Sequence, residues 1–163
     1  MAGGAALHRA RTQHEHAPNT TCPDSREVDS FLDFALDYYD VDQERVYLTG
    51  LSCGAIGAWD YLAVHTDERV AAAVLVAGDA TYAAVTAGCK LGRVPVWAFH
   101  GARDRLVPVD RVVAPLEGLK SCTHPRPVDV RVTVYPRAGH DVSGRAYDAS
   151  GDEISSWLLS HHR

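Results

Sequence analysis

Two uninterrupted apolar runs most constrain how this chain folds: Val70-Ala71-Ala72-Ala73-Val74-Leu75-Val76-Ala77 and Val94-Pro95-Val96-Trp97-Ala98-Phe99. Neither alternates with polar residues. A strand that is apolar at every position is covered on both faces, the pattern of parallel sheets with helices packed above and below. The flanking segments supply such helices. Val28, Phe31, Leu32, Ala35, Leu36 and Tyr39 recur at the spacing of one helical face. Asp24 or Ser25 caps its start, and Glu27 and Asp29 lie near the positive end of its dipole. Val46-Tyr47-Leu48-Thr49 predicts a short strand ending at Gly50, and Ala55 to Val64 a helix rich in small residues close to a sheet. Thr81 to Gly88 has room for about two helical turns. Asp110 to Ser121 predicts a helix that begins late or bends at Pro115. Val128 to Tyr135 is the last strand, and Ser150 to Ser160 closes the chain with a stripe of Ile154, Trp157 and Leu158. The alternation argues for an α/β fold, a mostly parallel sheet with flanking helices.

At 163 residues the chain fits one domain, expected over residues 24–163. Residues 1–23 carry no apolar periodicity and read as a poorly ordered arm. His14 and His16 in that arm are two apart, whereas helical zinc pairs sit four apart, so no metal site is expected. A net charge of −5 and a pI near 5.9 give no electrostatic case for nucleic acid or an anionic membrane surface. The longest apolar run, Val70 to Gly78, is well short of the roughly 18 residues of a membrane span. Residues 1–16 lack the apolar stretch of a signal peptide. The chain as written therefore reads as cytoplasmic, and as secreted if an upstream export signal has been lost.

Gly50-Leu51-Ser52-Cys53-Gly54 matches G-x-S-x-G between a predicted strand and a predicted helix. A serine on so sharp a turn needs small flanking residues, because its backbone is strained and close to neighbouring elements. The turn lifts the hydroxyl clear of the sheet. It also leaves the backbone N–H of Cys53 at the helix start, where an oxyanion can use it. A serine hydroxyl becomes a nucleophile only when a base takes its proton and a carboxylate orients that base. Functional residues of an open parallel sheet gather at the carboxyl ends of its strands. Asp104 follows one strand, in His100-Gly101-Ala102-Arg103-Asp104, and His140 follows the next, in Arg137-Ala138-Gly139-His140-Asp141. Asp79 is the rival orienting carboxylate. His65 and His100 read as packing or turn residues, His161 and His162 as solvated, and Asp141 as pointing elsewhere.

These segments, Arg45 to Gly54, Val94 to Asp104 with Val107-Pro108, and Tyr135 to Asp141, resemble esterases of the α/β-hydrolase superfamily. The resemblance covers roughly Asp24 to His161 and lies near the dienelactone-hydrolase-like, polyhydroxybutyrate-depolymerase-like and predicted-peptidase esterases. It implies an α/β-hydrolase fold lacking the usual first strands, with Ser52 attacking an ester carbonyl, His140 acting as base and then acid, and Asp104 orienting it. It implies a small-molecule ester substrate, no metal or organic cofactor, and a homo-oligomer as one way to cover an exposed sheet edge. The alternatives are a catalytically silent hydrolase fragment serving as a partner subunit, and peptidase or acyl-transfer chemistry from the same residues.

Cys22, Cys53, Cys89 and Cys122 show no C-x-x-C spacing, so a zinc site is not expected. Cys53 should turn into the fold rather than act as a thiol nucleophile. Cys89 and Cys122 each precede a strand, so both fall at the amino-terminal edge of the sheet, where a disulfide between them is accessible. Such a bond would favour an extracytoplasmic setting, and reduced thiols the cytosol.

Overall fold

The two apolar runs become the central strands of a four-stranded sheet. The computed structural model describes residues 22–66 and 69–163, the side chains of 149–152 excepted. The elements are α1 (Ser25–Tyr38), β1 (Tyr47–Leu51), α2 (Cys53–Val64), β2 (Ala72–Val76), α3 (Thr81–Ala87), β3 (Val96–Gly101), α4 (Asp110–Lys120), β4 (Val130–Tyr135) and α5 (Ser143–Leu159). Short 3-10 segments, Gln43–Arg45 and Gly88–Arg93, precede β1 and β3. The strands lie in chain order, β1-β2-β3-β4, and every pairing is parallel.

Every residue of β2 and β3 is buried, because each strand faces two apolar layers. Ala73, Leu75, Val96 and Ala98 point to one side, against Leu32 of α1, Trp59 and Leu62 of α2, Ala83 of α3, and Val112 and Leu116 of α4. Ala72, Val74, Val76, Trp97 and Phe99 point to the other, against Ala146, Ile154 and Trp157 of α5. On that second face the Trp157 indole donates to Asp129 Oδ2 at 2.8 Å, and Arg131 stacks 5.3 Å from the Trp97 ring. The three crossover helices thus share one face and α5 covers the other. All four strands deliver their carboxyl ends to one edge.

Local sequence explains most boundaries. Asp24 caps α1 by accepting from the amides of Arg26 and Glu27, while Glu27 accepts from the Asp24 amide, a reciprocal capping box. Phe31 and Tyr39 do not join the packed face expected of them. Both are exposed, Tyr39 in an aromatic cluster with Phe34 and Tyr38. Pro115 does not delay α4, which starts at Asp110. Proline removes the donor that would have served the Arg111 carbonyl, and that carbonyl instead accepts the Ala80 amide at 3.0 Å. The closing helix starts at Ser143, seven residues before the expected Ser150. Gly144 and Gly151 weaken its local helical signal, but buried Ala146 lies on the same face as Ile154 and Trp157 and holds the first turns to the sheet.

Two disulfides join segments that are distant in sequence. Cys89–Cys122, the pairing that the two positions left open, joins the segment before β3 to the segment after α4. Cys22–Cys53 was not expected. It brings residue 22, read as part of the arm, onto the start of α2, and Pro23 packs so closely on Gly57 that a Cβ there would meet it at 2.6 Å. The rest of the arm, with His14 and His16, lies outside the described residues.

Candidate active site

Ser52 sits between β1 and α2 with φ 52° and ψ −116°, a left-handed conformation that non-glycine residues rarely adopt. The turn is held on both sides. The Ser52 amide donates to the Val76 carbonyl of β2 at 2.9 Å, and the Ser52 carbonyl accepts from Ile56 at 2.9 Å. Gly50 is required because a Cβ there would lie 2.5 Å from the Gly54 backbone. Cys53 opens α2, so its N–H belongs to the first turn, where the helix offers no acceptor.

The loops after β3 and β4 bring the other two side chains to this turn. His140 Nε2 lies 2.7 Å from Ser52 Oγ, and His140 Nδ1 lies 2.7 Å from Asp104 Oδ2. The carboxylate only accepts, so Nδ1 carries the proton and Nε2 is left to receive the serine's. Asp104 is locked from its other oxygen, Oδ1, which accepts the amides of Leu106 (2.9 Å) and Val107 (3.0 Å). Its side chain is fully buried. Burial opposes its ionisation most strongly, but the hydrogen bonds from His140, Val107 and Leu106 outweigh that and hold the carboxyl below its ordinary value. The two loops are sewn together by the amides of Ala102 and Arg103, which donate to the carbonyls of Tyr135 and Ala138. Gly101 permits this approach: a Cβ there would run into the backbone of Ala138 and Gly139.

The rival groups lie elsewhere. Asp79 accepts the Thr81 amide at 2.8 Å and stands 3.7 Å from Arg111, bracing the turn into α3 rather than orienting His140. Asp141 accepts from Ser143. His65 stacks on Tyr61. His161 is not solvated as expected: its Nδ1 donates to the Trp157 carbonyl at 2.8 Å, and its ring packs 4.7 Å from the Trp157 ring. Sequence reasoning missed Cys22 as the partner of Cys53, and it missed the Leu106 and Val107 amides. The only signal for the amides was the turn-forming Arg-Leu-Val-Pro stretch after Asp104. Among the described residues no cluster of His, Cys, Asp and Glu suits a metal ion, and no helix is long and apolar enough to cross a membrane.

Residues 6–155 match the model of the dienelactone hydrolase family. The chain belongs to this family. A search of curated proteins found no match. Among solved structures, this dienelactone hydrolase family chain is similar to a thermostable esterase, at 25% identity and a TM-score of 0.64 over 83% of this chain and 36% of the other. It is similar to esterase PE8, at 23% and 0.63 over 81% and 59%. It is also similar in fold to the Pyrococcus horikoshii acylaminoacyl peptidase, at 15% and 0.55 over 73% and 23%. The family member described here therefore spans less than two thirds of each of these chains. Its fold is the α/β-hydrolase fold, and its family is one of hydrolases.

Proposed function

We propose that this chain is a serine hydrolase of carboxylic esters that works through an acyl-enzyme. The observation that carries the reading is the unbroken line of contacts from Ser52 Oγ through the His140 ring to buried Asp104. His140 Nε2 takes the hydroxyl proton as Oγ attacks the ester carbonyl carbon. The carbonyl oxygen gains a negative charge, and the Cys53 N–H at the start of α2 stabilises it by donating a hydrogen bond. His140 then hands its proton to the departing alcohol, leaving the acyl group on Ser52. A water molecule repeats the sequence: His140 takes its proton, and the acyl–oxygen bond to Ser52 breaks as His140 returns that proton to Oγ. Throughout, Asp104 stays ionised and keeps the His140 proton on Nδ1. No step calls for a metal or an organic cofactor.

Ester rather than amide substrates are favoured by the 25% identity with a thermostable esterase; the acylaminoacyl peptidase, at 15%, speaks to the fold alone. The two disulfides support action in an oxidising compartment. The test is a fluorophosphonate probe and a p-nitrophenyl acetate assay on wild-type protein and Ser52→Ala. The reading expects covalent labelling at Ser52 and turnover, both lost in the variant. Folded wild-type protein that neither labels nor turns over would support the silent-fragment alternative. Profiling against p-nitroanilide peptides separates peptidase from esterase use.

A further inference from the structure

One buried titratable side chain at the site has no part in the chemistry above. His100, in β3, is completely buried. Its Nε2 lies 2.8 Å from the Val107 carbonyl and 3.2 Å from Asp104 Oδ2, while its Nδ1 has no hydrogen-bond partner. A carbonyl oxygen only accepts, so Nε2 must be the protonated nitrogen. A bare Nδ1 lone pair in an apolar setting leaves fewer unmet demands than a second N–H would. Val107 is thus gripped through both of its backbone polar groups, one on either side of its Cα. Its carbonyl accepts from His100, and its amide donates to Asp104 Oδ1 at 3.0 Å. The same Nε2 stands close to Asp104 Oδ2, the oxygen that His140 Nδ1 contacts.

We infer that His100 is a positioning residue: by donating from Nε2 to the Val107 carbonyl it clasps the turn after β3, and this fixes the Asp104 carboxylate that orients His140. The inference rests on the reading of Ser52, His140 and Asp104 given above. It adds a fourth side chain, one that touches neither the substrate nor the nucleophile.

The test compares three replacements. Glutamine places a side-chain N–H near the position of the imidazole Nε2, asparagine falls short of it, and leucine fills volume without donating. In His100→Leu, kcat for p-nitrophenyl acetate should fall about tenfold or more, with KM within about twofold. His100→Gln should recover most of that loss, and His100→Asn should not. A purely structural role predicts instead that glutamine and asparagine behave alike, and that result would overturn the inference. So would a folded His100→Leu enzyme at wild-type kcat. Should the leucine variant fail to fold, the glutamine–asparagine comparison still decides. Long-range 1H–15N spectra of wild-type protein give an answer that needs no variant activity: the His100 ring should be protonated at Nε2 and bare at Nδ1, and protonation at Nδ1 would sink the idea. If the wild-type chain does not label with fluorophosphonate, the reading of Ser52 falls, while these spectra still judge His100.

Discussion

Cys22 is joined by a disulfide to Cys53, the residue that follows Ser52 and opens α2. In the proposed mechanism the Cys53 backbone N–H serves the oxyanion, while the Cys53 side chain anchors the segment that leads into α1. These two roles use different atoms and should separate experimentally. The bond closes a loop with a sequence separation of 31 residues. Cys22→Ser with Cys53→Ser should lower stability by about 3–4 kcal/mol in urea unfolding, from the chain entropy the cross-link removes. Labelling of Ser52 at room temperature should stay within about tenfold of wild type, because the Cys53 N–H survives. Loss of labelling in folded variant would show that the cross-link itself shapes the turn.

Asp104→Asn keeps the shape of the carboxylate but replaces an oxygen with a donor, so the His140 ring no longer has a reason to hold its proton on Nδ1. A drop in kcat of about 10⁴ is expected, the scale found when the orienting carboxylate of such a constellation is amidated. Circular dichroism should show the fold retained, since Asp104 is confined to the loop after β3.

Gly101→Ala tests the contact between the two loops. The added methyl meets the backbone of Ala138 and Gly139, the residues just before His140. Backbone cannot swing aside as a long side chain would, so a loss of about 1–3 kcal/mol is expected, with displacement of the His140 ring. Thermal unfolding reads the first effect and the rate of Ser52 labelling the second.

Part of the acid sensitivity should be traceable to Asp129, just before β4 at the opposite edge of the sheet. Burial pushes its carboxyl up, but hydrogen bonds from Arg131 and Trp157 prevail and hold it below the ordinary 3.8. A carboxyl depressed in the folded state adds stability above its unfolded value and loses it as the pH falls through the lower folded value. Thermal midpoints of wild-type protein should therefore decline below about pH 4. Asp129→Asn should be about 1–3 kcal/mol less stable at pH 7, from the bond to the Trp157 indole, and flatter across the acid range. An identical acid slope in the variant would contradict this assignment.

Much of this architecture was legible because it rests on local signals that tertiary contacts reinforce. The unbroken apolar runs of β2 and β3 left few options besides burial on two faces. Gly50, Ser52 and Gly54 specify a turn that ordinary residues resist. What escaped the sequence depends on contacts between distant segments. Cys22 gives no hint of Cys53 until α1 folds back on α2. Pro115 reads as a break unless the Ala80 amide is known to satisfy Arg111. Phe31 fits the helical periodicity of α1, yet the packed stripe is narrower than the pattern and leaves it exposed. The Val107 amide, equidistant in importance with any side chain near Asp104, belongs to the main chain and has no letter of its own.

Because the strands lie in chain order, each new strand adds to the edge left by the last. Chains are made from the amino end, and domains tend to form as they emerge. The strand that presents Ser52 comes first, the one before Asp104 third, and the one before His140 last. A chain made only as far as β3 holds Ser52 without His140, so under the proposed mechanism the hydroxyl gains its base only once β4 has docked. The order of the sheet thus sets the order in which the three side chains are brought together.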